Sequence, residues 1–135
     1  MFLNENPTLN ERLARSSLIA HETSHMWFGD FVTMEWFNDV WTKEVFANYY
    51  ASQIIEPLFP EVNHSLNFML DYIPAAYSED RTAGANPVKQ QLENMRDAGL
   101  MYGNIIYDKS PVILEMLIKK MGKESFQKGI REYLK

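Results

Sequence analysis

The stretch LIAHETSHMWFGD, Leu18–Asp30, decides how this sequence is read. It contains two of the three histidines in the chain, His21 and His25, with Glu22 beside the first. Residues at i and i+4 of a helix lie one above the other, so both imidazoles can reach one ion. Glu22 sits about 100° round the helix from His21, an offset suited to touching a metal's water rather than the metal. This is the H-E-x-x-H pattern, which needs a helix around it. The bland alternative is a pair of helical histidines hydrogen-bonded to their neighbours.

Working outward, NPTLNERLARSSLIAHETSHMWFG (6–29) predicts one helix, capped by Thr8 or Asn10 and ended by Gly29. DFVTMEWF (30–37) is aromatic and β-branched, a brief strand or an extended connector. A second helix is expected over 38–57, with Asn38 as its cap and Pro57 as its end. A third runs from Pro60 and stops before Pro74. Residues 74–87 are rich in turn formers and predict an exposed loop. Residues 87–98 predict a short helix. SPVILEMLIKKMG (110–122) has Ser110 at a cap position, Pro111 in the first turn and Gly122 past the end. Its apolar residues run nearly all round, which predicts burial. The last helix, 123–134, is amphipathic on Phe126, Ile130 and Leu134. The expected fold class is mainly α, five to six helices, with no linker and no repeat.

Composition narrows the function. The 135 residues suffice for one domain with a core, and 46% of them are apolar, so the chain can pack. The net charge of −5, with no dense basic patch, argues against a nucleic-acid partner. There are no cysteines, so any metal must be held by His, Asp or Glu. No segment of this piece has 18 uninterrupted apolar residues, so no transmembrane segment is expected, and there is no signal-peptide pattern at Met1. Localisation stays open, cytoplasmic or exported.

Two histidines do not complete a catalytic metal site; a third protein ligand is expected, with water in the fourth position. His64 has no acidic or histidine partner at ligand spacing and reads as a surface or capping residue. Glu44 lies among Trp41, Val45 and Phe46, where a carboxylate stays buried only if a positive partner offsets its desolvation. A zinc ion is one such partner. A solvated Glu44 paired with Lys43 is the alternative, and Glu35 and Asp39 are rival ligands.

HETSHMWFGDFVTMEWFNDVWTKEVFANYYA, beginning at His21, resembles the zinc aminopeptidase family that includes alanyl, puromycin-sensitive and leukotriene A4 hydrolase-type enzymes. These are gluzincins: H-E-x-x-H, eighteen residues, then a glutamate. Met26 through Lys43 are those eighteen, and Glu44 falls on the third ligand. NIIYDKSPVILEML (104–117) is similar to the family's Y-x-K segment and puts Tyr107 on its catalytic tyrosine. The likeness spans essentially the whole chain, most weakly over 62–86. It implies one Zn2+ held by His21, His25 and Glu44, with Glu22 and Tyr107 as catalytic residues. Asp39 and Asn48 are candidates to accept hydrogen bonds from the ligating imidazoles.

Two positions depart from the family pattern: Val45 and Ser110 replace customary glycines. The Gly-x-Met-Glu-Asn motif by which the family grips a free amino terminus is also absent; Gly84–Asn86 is a turn. The resemblance therefore implies that residues 1–135 are a partial catalytic domain, the helical part of a thermolysin-like fold truncated at both ends. Its expected partners are peptide substrates and the remainder of the parent chain. Bare apolar faces would favour self-association. The implied function is removal of N-terminal residues from peptides. The alternative is a non-catalytic fragment that binds zinc or serves only in packing. An endopeptidase and an epoxide hydrolase fit the flanking motifs less well.

Overall fold

A computed structural model describes residues 4–135. It contains five α-helices: α1, Leu9–His25; α2, Val40–Ile55; α3, His64–Asp80; α4, Ser110–Met121; and α5, Lys123–Tyr133. Short 3₁₀ turns flank α2, and a longer one spans Met95–Met101. The fold is mainly α, as expected. There is no β-sheet among the described residues, only one bridge between Phe28 and Val32.

Helix α2 is the hub. Its Val45 packs with Phe28, Leu114, Ile118, Phe126 and Ile130. Val40 joins Leu92, Ala98, Met101 and Ile106. Ala51 and Ile55 meet Ala20 and Phe59. One helix thus contributes to all three core clusters found among the described residues, so its position is set from every side.

Helix α1 begins with a capping box. Thr8 Oγ1 accepts from the Glu11 amide at 3.2 Å, while Glu11 Oε2 accepts from the Thr8 amide at 2.8 Å. Its buried residues are small, Ala20 and Ser24, and α2 buries Ala47 and Ala51. Small side chains on both helices let the two backbones approach closely. Ser24 Oγ donates to the Ala20 carbonyl at 2.8 Å, so its burial leaves no donor unmet. The helix ends at His25, short of the expected Gly29. Gly29 instead sits in a tight turn at φ +141°, which glycine tolerates.

Several boundaries differ from expectation. Asn38 does not cap α2. Its Oδ1 accepts from the Leu92 amide at 2.6 Å, and with the bond from Trp36 Nε1 to the Leu92 carbonyl it ties down the 87–94 segment. Helix α3 does not stop before Pro74 but runs through it to Asp80, shortening the expected loop. Proline leaves the Leu70 carbonyl without its i+4 donor; Leu70 and Pro74 are exposed, so water can supply one. The helix expected over 87–98 is replaced by the Met95–Met101 turn.

Ser110 is not a cap either. The chain enters α4 through a π-helical turn, Ile105–Lys109, and the Ser110 amide donates to the Ile105 carbonyl. In that i→i−5 pattern Pro111, lacking an N–H, leaves the Ile106 carbonyl unmet. Ser110 Oγ donates to it instead. Helix α4 is not buried all round: Leu114 and Ile118 face inward, while Met116 and Leu117 are exposed. Helix α5 buries Phe126 and Ile130 as its pattern predicts. Phe31 and Leu100 are also largely exposed, at 69% and 85%. A considerable apolar surface is therefore bare.

The hub arrangement predicts where damage concentrates. Ile106→Ala, at a fully buried side chain, should cost about 2–5 kcal/mol in urea unfolding. Met116→Ser, on the bare face of α4, should change stability by less than about 0.5 kcal/mol.

Candidate metal centre

The close packing of α1 against α2 brings His21, His25, Glu44 and Asn48 together. The positions follow from helical spacing: His21 and His25 are one turn apart on α1, as Glu44 and Asn48 are on α2. One ligand atom from each of His21, His25 and Glu44 lies within 4.8 Å of the others. Glu44 Oε2 is 3.4 Å from His21 Nε2 and 3.5 Å from His25 Nε2. Glu44 itself is only 3% exposed, which excludes the solvated alternative. It does pair with Lys43, whose Nζ is 2.8 Å from Oε1.

The other nitrogen of each imidazole is already engaged. His21 Nδ1 is 2.8 Å from Asn48 Oδ1, and His25 Nδ1 is 3.0 Å from the Phe28 carbonyl. A carbonyl can only accept, so His25 Nδ1 carries a proton; Asn48 Oδ1 imposes the same on His21. In the neutral tautomers, two Nε2 lone pairs then face a carboxylate oxygen. Acceptors facing acceptors repel unless something positive stands between them. The separations of 3.4 and 3.5 Å match what a tetrahedral ion requires of its ligands, since bonds of about 2.0–2.1 Å place them about 3.3–3.4 Å apart. The donor set fits one metal ion.

The local electrostatics agree. Burial pushes the Glu44 carboxyl up, but hydrogen bonds from His21 and Lys43 and the charges of Lys43 and His25 outweigh it, holding the group at about 2. His21 is raised from its ordinary value, chiefly by its hydrogen bond to Glu44 and against the pull of burial. The metal-free cluster therefore accepts a proton where an ion would sit.

Glu22 is exposed and does not join the cluster. It lines an adjoining open cavity with His25, Gly29, Asp30 and Lys43. Tyr107 lies on the π-helical turn. Its phenol is pushed up to about 12 by desolvation first and then by the nearby carboxylates, Glu44 ahead of Glu22, so it stays a donor at neutral pH. Asn48 takes the supporting role expected of it. Asp39 does not: its carboxylate pairs with Lys89 at 2.9 Å on the surface. Glu35 is outside the cluster, and His64 bonds the Phe59 carbonyl at 2.8 Å. The Phe28 carbonyl was not foreseen, because a main-chain acceptor leaves no side-chain signature. Its only trace is the W-F-G turn that carries it.

The "Peptidase family M1 domain" profile matches residues 1–135. The chain belongs to peptidase family M1. It is 32% identical over 134 residues to "Probable aminopeptidase 1" of Sulfurisphaera tokodaii, covering 99% of this chain and 17% of that protein. It is 34% identical over 135 residues to human "Endoplasmic reticulum aminopeptidase 2", covering 100% of this chain and 14% of that one. "Leucyl aminopeptidase" of Saccharolobus solfataricus is 29% identical over 135 residues, covering 100% and 17%. The chain thus spans between about one-seventh and one-sixth of the length of these relatives. Membership of this gluzincin family accords with a His–His–Glu set able to hold a metal.

Two outcomes follow. Asn48→Leu should weaken metal binding about 10–100-fold in a chelator competition while leaving the helical content intact. In metal-free protein, the stability that depends on Glu44 is present above its ordinary 4.5 and lost as pH falls toward about 2. The His21 contribution runs oppositely: present below its ordinary 6.5, lost as pH rises through its raised value. Melting temperature in chelator, referenced to Glu44→Gln, should therefore show its greatest excess between pH 4.5 and 6.5.

Proposed function

We propose that this chain carries the zinc-holding and proton-handling part of an aminopeptidase, which removes N-terminal residues from peptides. The observation that carries the reading is the convergence of two Nδ1-tethered imidazoles on the buried Glu44 carboxylate. The aminopeptidase names of the relatives support it. His21, His25 and Glu44 hold the ion. When bound, zinc lowers the pKa of a water toward about 7 and polarises a carbonyl.

The chain's own groups then divide the work. Glu22, on the open side of the cluster, takes the proton from the attacking water and delivers it to the leaving amine. Tyr107, kept protonated, donates a hydrogen bond to the oxygen that gains charge. Lys43 and Asn48 touch the ligands rather than the substrate. The cavity beside Glu22 is open, so it leaves room for a peptide but does not enclose one. That openness favours a second reading: a zinc-binding or packing module without turnover.

Zinc stoichiometry and hydrolysis of amino-acid anilides decide between them. The first reading expects one zinc per chain and measurable turnover. Glu22→Gln should then keep the zinc and abolish hydrolysis, and Tyr107→Phe should lower kcat by about 10²–10³-fold. Full turnover by Glu22→Gln would overturn the general-base assignment. Zinc uptake without hydrolysis would favour the second reading.

A further inference from the structure

The Glu44 carboxylate has two oxygens, and they have different neighbours. Oε2 faces both imidazoles, at 3.4 and 3.5 Å, whereas Oε1 is 2.8 Å from Lys43 Nζ. Adjacent helical residues do not ordinarily face one another. Lys43 reaches its neighbour because its long stem lies against the Gly29 turn. A Cβ built on Gly29 would stand 3.4 Å from Lys43 Cδ and 3.4 Å from His25 Nδ1. The φ of +141° at Gly29 reserves that position for glycine. On the other side, the ammonium lies 6.0 Å from the centre of the Tyr102 ring. The lysine is thus held along its length, and its side chain is only 26% exposed.

We infer that Lys43 is a positioning residue for the metal centre: by claiming Oε1 it restricts Glu44 to single-oxygen ligation through Oε2 and keeps the empty site assembled, at the expense of metal affinity. This rests on reading the cluster as a metal site. The physical reason is charge. A buried carboxylate without a partner is costly, and Lys43 supplies one before any ion arrives. Once an ion binds, the same ammonium is a like charge close to it, and it draws electron density from the ligand oxygen. Removing Lys43 therefore weakens the metal-free fold and strengthens metal binding. A residue that merely packs would not move these two quantities in opposite directions.

The test uses the 135-residue chain. In chelator, melts of the unaltered chain, Lys43→Met, Glu44→Gln and the double variant form a cycle. Lys43→Met should lower Tm by about 5 °C or more, and adding Glu44→Gln should recover part of that loss. Additive effects would overturn the inference. In a zinc competition, Lys43→Met should bind about tenfold tighter, while Lys43→Arg stays close to the original. With Co2+ in place of zinc, Lys43→Met should lose visible absorption intensity as Glu44 engages both oxygens and coordination number rises. Unchanged or weaker zinc binding with an unchanged cobalt spectrum would overturn the inference while leaving the metal centre standing. No zinc uptake by the unaltered chain would defeat the metal centre and the inference together. If Lys43→Met does not fold in chelator, Lys43→Gln, similar in length and uncharged, carries the same zinc and cobalt comparisons.

Discussion

A carboxylate buried at the centre of a small helical fold is the constraint on which the rest of this structure depends. Glu44 sits on the helix that contributes to each of the three hydrophobic clusters among the described residues, next to the fully buried Val45. Its negative charge is stable there because three basic side chains converge on it, Lys43 as an ammonium and the two imidazoles with a proton or an ion between them and the carboxylate. Two of these come from α1, so the packing of α1 on α2 and the assembly of the cluster are one event. The small residues Ala20, Ser24, Ala47 and Ala51 belong to the same arrangement, since bulk at those positions would part the helices and separate the donors.

The outer contacts matter as much as the donors. Asn48 and the Phe28 carbonyl fix which nitrogen of each imidazole carries its proton, and so aim both Nε2 atoms inward. The Phe28 carbonyl is offered by the turn through Gly29, and the same turn supports the stem of Lys43. Tyr107 depends on a different device. Its π-helical turn is secured by Ser110 Oγ on the Ile106 carbonyl and by Lys109, which bonds Asp80 at 2.7 Å and the Asn86 carbonyl at 2.8 Å. The replacement of customary glycines by Val45 and Ser110 thus has a structural outcome. Both side chains are fully buried; one fills the core and the other meets an orphaned carbonyl.

Much of this was legible in the sequence. The spacing of His21, Glu22 and His25 announces a helical metal motif, and the apolar surroundings of Glu44 nominate it, but Glu35 and Asp39 stay rivals until the family's eighteen-residue spacing places Glu44. Asn48 could be read from its position one turn beyond Glu44. Boundaries were less legible where a local rule met a tertiary exception. Proline ordinarily ends a helix, yet Pro74 is exposed, where the freed carbonyl can find water. Serine before proline ordinarily caps a helix, yet Ser110 lies inside one because the preceding turn is π-helical. Asn38 resembles a cap but bonds a segment more than fifty residues away, which no local pattern discloses. The all-round apolar character of α4 suggested burial, although half of that surface is bare among the described residues.

The central claim is that His21, His25 and Glu44 form one metal centre, with both imidazoles bound through Nε2. X-ray absorption at the zinc K-edge, on the chain loaded with one equivalent of zinc, tests it most directly. The account predicts two imidazole nitrogens in the coordination shell, completed by oxygen donors, and loss of that signature in Glu44→Gln. A shell containing one imidazole, or none, would contradict it.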